Sequence, residues 1–260
     1  MRNPAVPLLL LLATLAPVCG LRSSDELPGA PQKTPILLEG ATIHPVSSES
    51  FTGSLLFDKG IIVAAGKEVK APEGTKKIDA RGKHVFPGFF DAWSQIGLTE
   101  INAVRASRDL SESGRINPNV KALVAVNPDS ELIPVARANG ILLVLTSPSG
   151  GLVSGLASTI QLDGWTGEDM TLSAQGGLYV NWPAVAPAST WLAKGAARKQ
   201  MQNREKNLRE LTRLFESARA YATARSARGV DQPVDARLEA MLPVLRGEIP
   251  VIARAETIQT

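Results

Sequence analysis

The feature that most constrains the fold is the apolar run Val85-Phe86-Pro87-Gly88-Phe89-Phe90, which stops at Asp91. A continuous apolar run bounded by glycine and polar residues predicts a strand covered on both faces, as inside a parallel sheet. The reading is a buried strand over residues 85–90 and a loop beginning at Asp91. Downstream, Asn127-Pro128-Asp129-Ser130 starts a helix over residues 130–139, Asn139-Gly140 ends it, and residues 141–145 form the next buried strand. Strand, helix, strand in that order predicts a parallel unit with a right-handed crossover. The loop Thr146-Ser147-Pro148-Ser149-Gly150-Gly151 follows, then a short candidate strand at Ile160-Gln161-Leu162. Residues 199–227 carry the longest helical pattern. There Leu208, Leu211, Leu214, Phe215, Ala218 and Tyr221 make one apolar stripe on a charged cylinder, the pattern of a helix that covers a sheet and turns its basic face to water. A last helix over residues 236–245 contains Pro243, and residues 249–253 read as one more buried strand.

Ahead of the run, residues 34–84 hold short strands at 36–38, 42–44, 53–57, 61–64 and 77–78. The turns Asp58-Lys59-Gly60 and Ala71-Pro72-Glu73-Gly74 separate them, and together they predict a small antiparallel β domain. Residues 21–33, with Ser23-Ser24, Pro28-Gly29 and Pro31, read as a flexible tether. Residues 1–20 read as a signal peptide: Arg2 supplies the positive start, Leu8 to Leu12 the apolar stretch, and Val18-Cys19-Gly20 the cleavage site. The expectation is export to the periplasm or the extracellular space. A lipid anchor at Cys19 is the alternative, although Ala16-Pro17-Val18 fits a lipobox poorly. The apolar stretch is shorter than the ~20 residues a spanning helix needs, so no transmembrane segment is expected. Cleavage removes the only cysteine, which excludes disulfides and thiolate metal sites from the mature chain. A net charge of +3, concentrated in residues 194–228, gives no case for nucleic acid.

The order of motifs carries a resemblance. Pro87-Gly88, two apolar residues and Asp91 resemble the first barrel strand of the amidohydrolase superfamily. Thr42-Ile43-His44-Pro45, Asp58-Lys59-Gly60-Ile61 and Ile78-Asp79-Ala80-Arg81-Gly82-Lys83 resemble the β domain that precedes that barrel. Asn127-Pro128-Asp129-Ser130, Ser149-Gly150-Gly151-Leu152-Val153-Ser154-Gly155 and Leu162-Asp163-Gly164-Trp165 are similar to its exported, imidazolonepropionase-like branch. The implied fold is α/β: a partial TIM-type (β/α) barrel over residues 85–260 preceded by the small β domain, the composite arrangement of metal-dependent hydrolases. The residues from Asp91 onward are too few for a closed barrel, which takes ~250. The implied activity is hydrolysis of non-peptide carbon–nitrogen bonds with a divalent metal, zinc in the family, activating a water.

The family's metal ligands do not carry over. Trp93 and Gln95 stand where the first strand has His-any-His, and Arg254 stands at or next to a further histidine. An indole N–H only donates and a guanidinium repels a cation. His44 and His84 are the chain's only histidines, and both read as structural. A carboxylate site from Asp91, Asp163 and Glu256 has no support in their spacing. No cofactor is therefore expected, and no catalytic residue is assigned. Ser149, Gly150, Gly151 and Ser154 are the candidate substrate-binding residues: loop N–H groups at a barrel mouth could cradle an anion, or the loop is a plain glycine turn. Trp165, Trp182 and Trp191 line a cleft or pack.

Three readings follow: a catalytically degenerate or truncated amidohydrolase, a working one with displaced metal ligands, and a non-catalytic scaffold that binds a small molecule or a partner. A partial barrel leaves open strand edges, so self-association, or a partner that completes the barrel, is expected.

Overall fold

The computed structural model describes residues 28–183, 194–227 and 233–255. The signal peptide, Cys19, Trp191 and Glu256 lie outside the described residues.

Two five-stranded sheets organise the chain. The first holds β1 (Ile36–Ile43), β2 (Phe51–Asp58), β3 (Ile61–Gly66), β4 (Lys76–Asp79) and β5 (His84–Val85). β2 and β3 close through a two-residue turn, with Asp58 opposite Ile61. Lys59 and Gly60 both have positive φ, 49° and 77°, the conformation that matches the twist of a hairpin. β1 is one strand where the sequence suggested two: Gly40, at φ 77°, carries a bulge between Leu38 and Ala41 that keeps the ladder going. β1 pairs in parallel with both β4 and β5. The small sheet is therefore mixed, a correction to the purely antiparallel expectation.

The second sheet runs β10-β9-β8-β7-β6. Its strands are β6 (Phe89–Ser94), β7 (Ile141–Thr146), β8 (Val153–Gln161), β9 (Thr171–Asn181) and β10 (Val251–Arg254). β6 with β7 and β9 with β10 are parallel, whereas β8 is antiparallel to both neighbours. Four strands thus share one direction around a reversed fifth, and the sheet is a curled half-barrel. The short strand expected at Ile160 is the end of β8, nine residues long.

The organising run is not one strand. His84 and Val85 finish the small sheet, Phe86-Pro87-Gly88 cross over, and β6 starts the large sheet at Phe89 and passes through Asp91 to Ser94. Pro87 has no N–H to give a ladder, so the break falls there. Nor is the run buried. Phe89 is 67% and Phe90 49% exposed, because β6 is an edge strand.

Helix α1 (Leu132–Ala138) links β6 to β7 as expected, and α2 (Gly167–Met170) links β8 to β9. Thr166 caps α2 by accepting the Asp169 N–H at 3.1 Å. α3 (Lys194–Ser226) and α4 (Ala236–Leu245) lie between β9 and β10. The stripe on α3 packs where its period put it. Leu211, Leu214 and Ala218, with Met241 of α4, bury against Leu152, Val153, Leu156, Leu178 and Val180 of the sheet. The Tyr221 hydroxyl donates to the Glu239 carboxylate at 2.7 Å and ties α3 to α4.

Candidate functional site

The C-terminal ends of the four co-directional strands form a mouth of Trp93 and Ser94, Thr146 and Ser147, Asn181, and Arg254. The Ser147 N–H donates to the Ser94 carbonyl at 2.9 Å, and the Trp182 N–H to the Arg254 carbonyl at 2.9 Å. The buried Thr146 hydroxyl donates to the Ile96 carbonyl at 3.0 Å. These polar groups are spent on backbone.

Trp93 and Arg254 are not. They come from opposite edges of the sheet, and the curl brings the guanidinium carbon to 5.4 Å from the indole centroid, a cation–π contact. Tyr179, only 2% exposed, lies beside them. Burial pushes its hydroxyl pKa up, against the charge of Arg254 and a hydrogen bond from Trp93 that pull it down. Arg254 takes part in none of the ion pairs among the described residues. The Asp91 carboxylate is occupied closer to home, accepting the backbone N–H of Trp93 at 3.1 Å.

A divalent ion does not fit this mouth. The mouth presents an N–H donor, Trp93, and a fixed cation, Arg254, and among the described residues no three His, Cys, Asp or Glu side chains converge. Asp163 lies two residues beyond the end of β8, beside the start of β7, and pairs with Arg137 at 2.9 Å.

The glycine loop is held tightly. Ser154, 1% exposed, donates to the Gly150 carbonyl at 2.6 Å and accepts from the Asn181 amide at 3.0 Å. That amide also reaches the Gly151 carbonyl at 3.0 Å. The Ser149 N–H donates to the Leu110 carbonyl at 2.7 Å. Beside the loop a cleft of about 290 Å³ is lined by Leu110, Ser111, Glu112, Lys121, Ala125 and Pro148. Gly151 has φ 65°, and a Cβ there would lie 2.8 Å from the Arg115 carbonyl oxygen. Gly151→Ala is therefore expected to cost about 1–3 kcal/mol of stability, read as a lowered thermal midpoint. An unchanged midpoint would mean that the close approach does not hold the loop.

Trp165 is 64% exposed at the far end of β8 and Trp182, 39% exposed, follows the mouth residue Asn181. Tyr179 and Asn181 were missed in the sequence. Their signal was present: Gly176-Gly177 opens an apolar run, Leu178-Tyr179-Val180, that closes on polar Asn181, the same pattern that marked β6. His44 and His84 lie on the small sheet, in contact with each other at 2.8 Å. Among the described residues no helix is long and apolar enough to cross a membrane.

No family model matches the chain. It is 30% identical over 131 residues to a dihydroorotase from Thermoanaerobacter sp., covering 46% of this chain and 29% of that one. It is 35% identical over 99 residues to a deacetylase from Agrobacterium fabrum, covering 35% of this chain and 24% of the relative. The chain thus matches less than a third of the length of these curated relatives. Among solved structures, an amidohydrolase from Thermotoga maritima superposes with a TM-score of 0.72 at 28% identity, covering 86% of this chain and 58% of that one. The superposition takes in most of the two-sheet arrangement, and the sequence matches agree with it: the chain belongs to the amidohydrolase superfamily.

Proposed function

We propose that this chain is a catalytically degenerate amidohydrolase scaffold whose mouth binds a small carboxylate in place of a metal ion. The observation that carries the reading is Arg254 standing over Trp93 with no carboxylate partner among the described residues. A guanidinium offers a planar fork that suits a carboxylate, and the Tyr179 hydroxyl adds a donor from a buried position. The indole of Trp93 supplies an apolar wall for the rest of the ligand. Among the described residues nothing at the mouth generates a hydroxide nucleophile, so the reading has no hydrolytic step. Export through residues 1–20, and membership of the exported, imidazolonepropionase-like branch, belong to the same proposal.

The test is calorimetric titration of the full chain with a panel of small mono- and dicarboxylates and N-acyl amino acids. One of them is expected to bind at a single site, and Arg254→Ala to weaken that binding by about 10-fold or more, the scale of a charge-assisted hydrogen bond. Equal affinity in the variant would sink the carboxylate reading. Zinc-dependent hydrolysis of a cyclic amide by the unmodified chain would sink the degenerate one.

A further inference from the structure

The chain has only two histidines, and the fold puts them together. Parallel pairing of β1 with β5 sets Thr42 opposite His84, which leaves His44 within reach of it. His44 Nε2 lies 2.8 Å from His84 Nδ1, and the other nitrogen of His44 lies 2.7 Å from the Ser50 hydroxyl. The ring centroids are 5.1 Å apart and the planes within 19°. That centroid separation is the nitrogen–nitrogen distance plus one ring radius on each side. The rings therefore meet edge to edge, with the two nitrogens facing along one line. Phe86 lies flat against His44, centroids 4.3 Å apart and planes within 3°. The pair sits on the small sheet before β6 begins, at the opposite end of that strand from the mouth.

We propose that His44 Nε2 and His84 Nδ1 form a surface site for a two-coordinate monovalent metal ion, Cu⁺ first among them. Two lone pairs that point at each other along one axis share a proton here, and a linear d¹⁰ ion replaces that proton without turning either ring. A tetrahedral ion such as Zn²⁺ needs four ligands set at an angle, and among the described residues no third His, Cys, Asp or Glu joins the pair. Two metal–nitrogen bonds of ~2 Å each are together longer than the gap, so the rings must draw apart. His84 is exposed, and the flat stack on Phe86 lets the His44 ring slide within its own plane. The Ser50 hydroxyl selects the tautomer this site uses: with Ser50 accepting the Nδ1–H of His44, Nε2 keeps its lone pair. Loading moves no net proton, because His84 passes from its Nδ1–H to its Nε2–H form and both rings stay neutral.

The test is anaerobic titration of the full chain with Cu⁺ against a chromophoric Cu⁺ chelator. Cys19→Ser is carried throughout, so that the only thiol cannot compete. One equivalent is expected to bind, and His44→Gln and His84→Gln each to weaken binding by at least about 10-fold, the lower range for loss of a metal-site partner. Arg254→Ala should leave it unchanged. X-ray absorption of the loaded chain, which needs no histidine variant, is expected to show two nitrogens in line. Sulfur in the coordination shell, unchanged binding in both histidine variants, displacement by equimolar Zn²⁺, or no binding would each overturn the assignment.

Discussion

Exchanging Trp93, Gln95 and Arg254 together for histidine is expected to raise the zinc affinity of the mouth by about 100-fold or more, the upper range over which even outer partners move metal affinity. The measurement is competition with a fluorescent zinc chelator, made in a His44→Gln, His84→Gln background so that the surface pair cannot contribute. Trp93→His with Gln95→His alone should gain far less. In that double variant Arg254 remains, and in the parent chain its guanidinium already lies 5.4 Å from the Trp93 ring. Two unit charges roughly 4 Å apart near a protein surface repel by about 4 kcal/mol, and a divalent ion doubles the repulsion. The backbone is suited to the change: β6 and β10 already end at one mouth, so no strand has to move. Equal zinc affinity in the double and triple variants would show that the guanidinium is not what keeps a cation out.

What the sequence made legible follows the range of the interactions. α1, α4 and the stripe of α3 depend on period and caps, which are local, and they formed where expected. The run ending at Phe90 announced a strand but not which sheet would receive it; Pro87, lacking an N–H, marked the division. β8 was largely hidden. Its Val-Ser-Gly-Leu-Ala-Ser-Thr-Ile-Gln sequence is nearly buried throughout, so small residues fill both faces and no alternation shows. Its antiparallel insertion between parallel strands is a tertiary fact. The same division holds at the mouth. That positions 93 and 95 carry no imidazole can be read in the chain, whereas the meeting of Trp93 with Arg254 requires the curl of the sheet. The contact of His44 with His84 across 40 residues likewise depends on β5, a strand of two residues too short to signal itself.

The polypeptide of residues 1–260, made alone, is expected to run as a dimer or larger species in light scattering at micromolar concentration. β6 and β10 close the two ends of the large sheet and have no outer neighbour among the described residues. Each therefore shows a row of unpaired N–H and C=O groups, the ordinary template for pairing with another chain. The edges are apolar as well: Phe89 is 67%, Phe90 49% and Val251 44% exposed. Burying such side chains stabilises by roughly 1.5–3 kcal/mol each, enough in sum to offset the cost of association. Direction matters too. β6 and β10 run the same way, so a twofold axis along the strands lays β6 of one copy beside β10 of its partner, twice, in parallel register. Phe89→Lys with Phe90→Lys places charge on that edge and is expected to shift the population to monomer while leaving the helical signal in place. Hydrogen exchange should in parallel lose protection across Phe89–Ser94. A parent chain that is a monodisperse, cooperatively melting monomer would show that the open edges are satisfied without a partner.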